Sequence, residues 1–120
     1  MENKTVLVAE DNAPTRELIN LVLIKFGYTV IVATTGIEAL KKARAKLPNL
    51  IIMDLGLPGI TGDEAVLCLK TDPITKHIPV IVNTAYHEGS VHVERAIIAG
   101  AAEILYKPND FQALPNIVNQ

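Results

Sequence analysis

The sequence predicts a doubly wound α/β domain with a five-stranded parallel sheet in the order 2-1-3-4-5 and five flanking helices. Short apolar runs rich in β-branched residues alternate with longer helical patterns along the whole chain. Runs such as Val6–Ala9 and Val80–Val82 are apolar at consecutive positions, as is typical of strands covered by helices on both faces. The predicted strands are Thr5–Ala9, Tyr28–Val32, Leu50–Met53, Pro79–Asn83 and Glu103–Tyr106.

The first three helices carry start and stop signals. Pro14 fits the first turn of the first helix, where a missing N–H costs nothing, and Gly27 follows its end. Thr35 and Thr61 each precede a glutamate by three residues, which predicts capping boxes for the second and third helices. We expect the second helix to end before Pro48.

The fourth helix has clear start and end signals, whereas the fifth does not. Ser90 fits the N-cap of the fourth helix and Gly100 its left-handed end, whereas Pro115 is expected to interrupt a weak fifth helix from about Asp110. Helical spacing predicts inward-facing apolar residues on two helices. They are Leu40, Ala43 and Leu47 on the second helix, and Val93, Ala96 and Ile97 on the fourth.

Composition limits the class of protein. The 120 residues, 49% of them hydrophobic, suffice for one domain, which we expect to span residues 1–120. A net charge of −2 without charged blocks argues against direct binding to nucleic acid or to a membrane surface. The single cysteine, Cys68, cannot form an internal disulfide. We expect it on the third helix as a small residue of the hydrophobic core. No signal peptide or spanning segment is evident, so we expect a cytoplasmic protein.

Polar residues follow four of the predicted strands. Glu10 and Asp11 follow the first, Asp54 the third, Thr84 the fourth and Lys107 the fifth. In doubly wound sheets the carboxyl ends of the strands share one edge, and ligands bind there, where the strand order reverses. We therefore expect these side chains to form one site.

The charges of this site point to a metal ion and phosphoryl transfer. Three carboxylates about 4 Å apart would repel by about 4 kcal/mol per pair at an effective dielectric constant near 20, so they require cations. Lys107 supplies one charge, and Mg²⁺, which prefers carboxylate oxygens and retains displaceable waters, would supply the rest. Glu10 and Asp11 would hold the metal, together with a backbone carbonyl near Gly56.

The remaining roles follow from the same chemistry. Asp54, alone after the central strand, is the candidate nucleophile, because carboxylates are known to form aspartyl phosphates. Thr84 offers a hydroxyl donor and Lys107 a positive charge to the phosphoryl oxygens. His77, His87 and His92 lack the spacing of metal ligands, and we expect them at the surface.

Four segments stand in a specific order and spacing: Val6–Asn12, Ile51–Gly62, Pro79–Ala85 and Gly100–Pro108. Together they resemble the receiver domain of two-component response regulators, over nearly the whole chain. The resemblance implies a flavodoxin-like fold and a phosphoryl group taken, with Mg²⁺, from a histidine of a sensor kinase or a phosphotransfer protein. It also implies slow hydrolysis without a further enzymatic activity, and a changed affinity for a downstream partner or output domain.

The resemblance assigns the same residues to the same roles. It implies Asp54 as phosphoacceptor, Glu10 and Asp11 as the acid pair, and a metal-binding carbonyl at Gly56. Thr84 and Lys107 match the family's hydroxyl and lysine. Whether phosphorylation drives dimers through the fourth and fifth helices stays open.

One position departs from the family's pattern. The family often has Tyr or Phe three residues before the lysine, whereas this chain has Ile104. Tyr106 lies on the same face of the strand by alternation. Our hypothesis is that Thr84 still moves towards the phosphoryl group, and that the readout runs through the loop after the fourth strand.

Three other functions are alternatives to a signalling switch that is phosphorylated on Asp54. A phosphatase of the haloacid dehalogenase type would need a second acid two residues after the nucleophile, where this chain has Gly56. A binding module without phosphorylation would not need the acid pair, Thr84 and Lys107. A flavin or nucleotide carrier would need a glycine-rich loop after the first strand, which is missing.

Overall fold

The structure, a computed structural model, describes residues 4–107 and 113–118. Within these residues five strands alternate with five helices, as predicted, and no helix is long and apolar enough to cross a membrane. The strands are β1 (Thr5–Ala9), β2 (Thr29–Ala33), β3 (Leu50–Met53), β4 (Val80–Thr84) and β5 (Glu103–Tyr106). The helices are α1 (Ala13–Lys25), α2 (Gly36–Lys46), α3 (Gly62–Thr71), α4 (Val91–Ala99) and α5 (Leu114–Val118).

The strands form one parallel sheet in the order β2-β1-β3-β4-β5, which confirms the predicted fold class. Alternate side chains enter two cores, one on each face. Leu7 and Met53 belong to the core that includes residues of α2, α3 and α4. Val8 and Ile52 belong to the core that includes residues of α1 and α5. Burial on both faces explains why the strand segments are apolar at consecutive positions.

Two strands begin one residue later than predicted. The Tyr28 N–H donates to the Leu23 carbonyl at 3.0 Å, so Tyr28 belongs to the turn that closes α1. Pro79 has no N–H and takes part only through its carbonyl, which accepts from the Ile51 N–H at 3.0 Å. Local hydrogen bonding, and not hydrophobicity, sets these boundaries.

Most predicted helix caps are present. The Thr35 hydroxyl accepts from the Glu38 N–H at 3.0 Å, although the Glu38 carboxylate accepts from the N–H of Thr34 at 2.6 Å rather than from that of Thr35. The Thr61 N–H donates to Glu64 at 3.2 Å, as a capping box requires. Ser90 caps α4, and Gly100 ends it in the left-handed region with φ 111°.

Three residues predicted to face the core are exposed. Leu47 is 51% exposed, because α2 ends at Lys46 and Leu47 adopts the left-handed cap conformation. Ile97 is 48% exposed, because Val93 and Ala96 form the buried stripe of α4. Cys68 is also exposed. The buried residues of α3, which turn a different side of this helix to the core, are Gly62, Asp63, Ala65, Val66 and Leu69.

The fifth helix differs from its prediction as well. Pro115 is the second residue of α5 and therefore does not interrupt it, because a proline in the first turn leaves no helical bond unmade. The predicted start at Asp110 and the end of the motif at Pro108 lie outside the described residues.

Gly62 lets α3 approach the end of β3 closely. A Cβ atom at this position would overlap the Asp54 carbonyl oxygen and lie 2.5 Å from the Leu55 Cα. The Gly62 N–H donates to the Leu55 carbonyl at 2.9 Å. The start of α3 therefore packs directly on the backbone that carries Asp54.

We predict that Gly62→Ala destabilises the protein by about 3 kcal/mol, because rigid backbone atoms oppose the added methyl group. This cost exceeds the gain of about 1 kcal/mol from the higher helix propensity of alanine. Urea denaturation measures the difference. Gly56→Ala is the matched control, since a Cβ there would lie no closer than 3.9 Å to the Asp54 carboxylate oxygens. Equal unfolding free energies for the two variants would contradict the prediction.

Candidate functional site

The predicted site residues meet at the carboxyl edge of the sheet. Glu10 follows β1, Asp54 follows β3, Thr84 ends β4 and Lys107 follows β5. Glu10, Asp11 and Asp54 each place one carboxylate oxygen within 4.8 Å of the others. Glu10 and Asp54 are buried, whereas Asp11 is exposed. The sheet topology therefore brings together residues that lie far apart in the chain.

Lys107 stands between the two buried carboxylates. Its Nζ lies 2.6 Å from Glu10 Oε1 and 3.6 Å from Asp54 Oδ1. Its backbone N–H donates to the Thr84 carbonyl at 2.7 Å, which ties the end of β5 to β4. The ammonium thus compensates part of the negative charge that gathers at this edge.

The environment of Glu10 perturbs its carboxyl group. Burial raises its pKa from 4.5 to about 7, the hydrogen bond from Lys107 opposes this rise, and the nearby charge of Asp54 adds to it. The Asn12 N–H also donates to Glu10 Oε2 at 3.2 Å. One cation is therefore not enough to keep this carboxyl fully ionised at neutral pH.

Asp54 borders an open cleft. Its Oδ1 accepts from the Gly56 N–H at 3.2 Å, and its own N–H donates to the Ala9 carbonyl at 3.0 Å. The cleft has a volume of about 350 Å³. Its lining residues are Asp54, Gly56, Thr84, Ala85, Tyr86 and Lys107.

This arrangement suits a hard divalent cation beside an oxygen-rich ligand. Glu10, Asp11 and Asp54 supply only oxygen donors, and the exposure of Asp11 leaves room for coordinated water. Thr84 and Lys107 line the adjacent cleft with a hydroxyl and an ammonium group. Thr84 Oγ1 accepts from the Tyr86 N–H at 3.0 Å, which fixes its position. The role of the Gly56 carbonyl as a metal ligand stays a prediction.

Sequence reasoning missed two features near the site. The Arg16 guanidinium donates to the Glu10 carbonyl at 2.9 Å, and its place one turn into α1 was the only signal for this contact. His92, which was expected at the surface, is partly exposed, and its Nδ1 lies 3.0 Å from Asp63 Oδ1. No local pattern connects these two residues, which are 29 positions apart.

A family model described as "Response regulator receiver domain" matches residues 6–119. The chain belongs to this family. Receivers are phosphoacceptor switches of two-component signalling rather than conventional enzymes. In this receiver Asp54 belongs both to the acidic cluster and to the lining of the cleft.

Curated relatives include response regulators and a histidine kinase. The receiver is 41% identical over 83 residues to the polar-differentiation response regulator DivK of Brucella ovis, covering 69% of this chain and 68% of that protein. It is 36% identical over 107 residues to histidine kinase P4 of Formosa agariphila, covering 89% of this chain but only 8% of the kinase. Receivers of this type therefore occur in proteins of very different length.

Solved structures share the whole fold. A putative response regulator from Chloroflexus aurantiacus superimposes with a TM-score of 0.88 at 34% identity, over 98% of this chain and 96% of that one. The receiver domain of sensor histidine kinase PA1611 from Pseudomonas aeruginosa superimposes with a TM-score of 0.87 at 27% identity, over the same shares. That structure has a magnesium ion coordinated in its active site cleft.

The raised pKa of Glu10 predicts how stability depends on pH without metal. Between pH 4.5 and about 7 the folded state keeps the Glu10 proton while the unfolded state releases it, so the unfolding free energy falls as the pH rises. Glutamine does not titrate, so Glu10→Gln removes this contribution to the fall in unfolding free energy. We predict that the stability of the variant relative to wild type increases from pH 5 to pH 8, measured by urea denaturation in EDTA. Glu17→Gln, at an exposed position of α1, is the control. Parallel pH profiles for wild type and Glu10→Gln would contradict the prediction.

Proposed function

We propose that this receiver is a signalling switch in which Asp54 accepts the phosphoryl group. The observation that carries the proposal is the position of the Asp54 carboxylate, which borders an open cleft 3.6 Å from the Lys107 ammonium and within the acidic cluster. An Asp54 oxygen attacks phosphorus, the bond from phosphorus to the donor's histidine nitrogen breaks, and the imidazole leaves. Later attack by water restores Asp54 and releases inorganic phosphate.

The neighbouring residues divide the electrostatic work. Glu10, Asp11, Asp54 and the Gly56 carbonyl would hold Mg²⁺, which when bound neutralises phosphoryl charge. The magnesium in the cleft of the similar Pseudomonas receiver supports this choice of metal. The Lys107 ammonium then contacts a phosphoryl oxygen instead of the carboxylates, and the Thr84 hydroxyl donates a hydrogen bond to another phosphoryl oxygen. The chain thus promotes its own phosphorylation and slow dephosphorylation, without acting on a separate substrate.

The partners follow from this chemistry. The donor is a sensor histidine kinase or a histidine phosphotransfer protein, and the phosphorylated form changes its affinity for a downstream protein or output domain. Receivers within a kinase and in DivK proteins support both settings. A single receiver domain over residues 1–120, its cytoplasmic location and a phosphorylation-dependent dimer stay predictions.

The route from the site to the partner surface is also a proposal. Ile104 and Tyr106 both pack against the core that includes Val82 and Val93, as their shared face predicted. Ile104 has no aromatic ring to rotate with Thr84. We therefore propose that phosphorylation alters the α4 surface through the loop between β4 and α4.

We predict that acetyl phosphate and Mg²⁺ add one phosphoryl group to the wild type and none to Asp54→Asn, because asparagine has no nucleophilic carboxylate. Intact mass spectrometry measures the adduct. Glu88→Gln, in the loop before α4, controls for the handling of a variant protein. An adduct on Asp54→Asn, or none on the wild type, would contradict the proposed acceptor.

We predict that Mg²⁺ raises the melting temperature of the wild type and has little effect on Asp11→Asn, which lacks one of the three carboxylates. At a hundredfold excess over Kd, binding to the folded state adds about 2.7 kcal/mol of stability. Differential scanning fluorimetry over a MgCl₂ series, with NaCl at matched ionic strength, measures this shift. Asp11 is exposed, so its substitution should not disturb folding. An equal shift in both proteins would show that the acidic cluster does not hold the metal.

A further inference from the structure

Tyr86 lines the cleft that contains Asp54, together with Thr84 and Lys107. Its backbone N–H donates to Thr84 Oγ1 at 3.0 Å. Tyr86 is 37% exposed, so burial alone does not determine where its ring lies. Some other contact must hold it.

The imidazole of His92 provides that contact. The Tyr86 and His92 rings stack with their centroids 4.7 Å apart and an interplanar angle of 27°. His92 is the second residue of α4, and its side chain is 27% exposed. Stacking therefore joins a residue that lines the cleft to the first turn of α4.

Asp63 in turn holds the imidazole. Its Oδ1 lies 3.0 Å from His92 Nδ1, and its side chain is only 1% exposed. Within the described residues its Oδ2 has no hydrogen-bond partner, and the Arg95 guanidinium approaches it only to 4.0 Å. Asp63 follows Gly62, which packs on the backbone of Asp54 and Leu55. The carboxylate therefore sits on a part of the molecule that is rigid with respect to the acceptor.

We propose that Asp63 and His92 are positioning residues that hold the Tyr86 ring at the mouth of the cleft and so limit the access of water to phosphorylated Asp54. The inference rests on the proposed function, because it concerns the lifetime of the phosphoryl group on that residue. Asp63 orients His92, and His92 stacks on Tyr86. Without this support the ring leaves its position and water reaches the aspartyl phosphate more readily.

The test combines one measurement before phosphorylation with one after it. Protein labelled with 3-fluorotyrosine gives three ¹⁹F signals, because the chain has three tyrosines, and the Tyr86 signal is the one that Tyr86→Phe removes. Loss of the adduct is then followed by intact mass after acetyl phosphate is removed. His87→Ala, at an exposed histidine of the loop that carries Tyr86, is the matched control for His92→Ala.

We expect His92→Ala to shift the Tyr86 signal and to speed loss of the adduct about threefold, the order expected when one aromatic pair is lost. Tyr86→Ala should speed the loss equally, and adding His92→Ala to it should have no further effect, because both act through the same ring. Asp63→Ala should behave like His92→Ala. If its buried position prevents folding, the His92 and Tyr86 variants decide the matter.

Three results would overturn the inference alone. The first is a Tyr86 signal that is the same in His92→Ala and His87→Ala, and the second is adduct loss at the wild-type rate in His92→Ala. The third is additive effects in the double variant. A wild type that forms no adduct at all would instead contradict the proposed function, and this inference with it.

Discussion

Negative charge that parallel strands bring to one edge is the constraint on which the rest of the site depends. β1 and β3 are neighbours and end at the same level, so the residues that follow them must lie close together. In this chain those residues include Glu10 and Asp54, both of them buried. Burial and the nearby charge of Asp54 oppose the ionisation of Glu10, and Lys107 offsets only part of that cost. Because Lys107 compensates only part of the negative charge, the site is suited to bind a metal ion.

Backbone packing, more than side-chain contact, holds the acceptor in place. The N–H of Asp54 is bound by Ala9, and its carbonyl lies against Gly62 at the start of α3. Only a residue without a side chain permits this approach. The carboxylate is therefore held on a rigid base, while residues 85–89, in the loop that carries Tyr86, are exposed. Backbone packing thus fixes the acceptor, whereas stacking on His92 is the contact made by the Tyr86 ring.

The fold and the grouping of the site residues could be predicted because both follow from local patterns. Apolar runs define strands, and polar residues directly after them must share an edge. Inward faces were less predictable: Leu47 and Ile97 have the right spacing, but the actual end of α2 and the rotation of α4 depend on packing against neighbours. The contact between Asp63 and His92 joins two helices without any sequence signal. Side-chain pairs of that kind emerge only from the assembled structure.

The ion pair between Lys107 and Glu10 joins residues 97 positions apart. During synthesis, Glu10 leaves the ribosome long before Lys107 is added. Until then a nascent chain has its acidic residues but not the cation that balances them, and β5 cannot complete the sheet edge. Under the proposed function, competence to accept a phosphoryl group arises only when the last strand has been made and docked. Phosphorylation of Asp54 would therefore require that the domain has been synthesised and folded through β5.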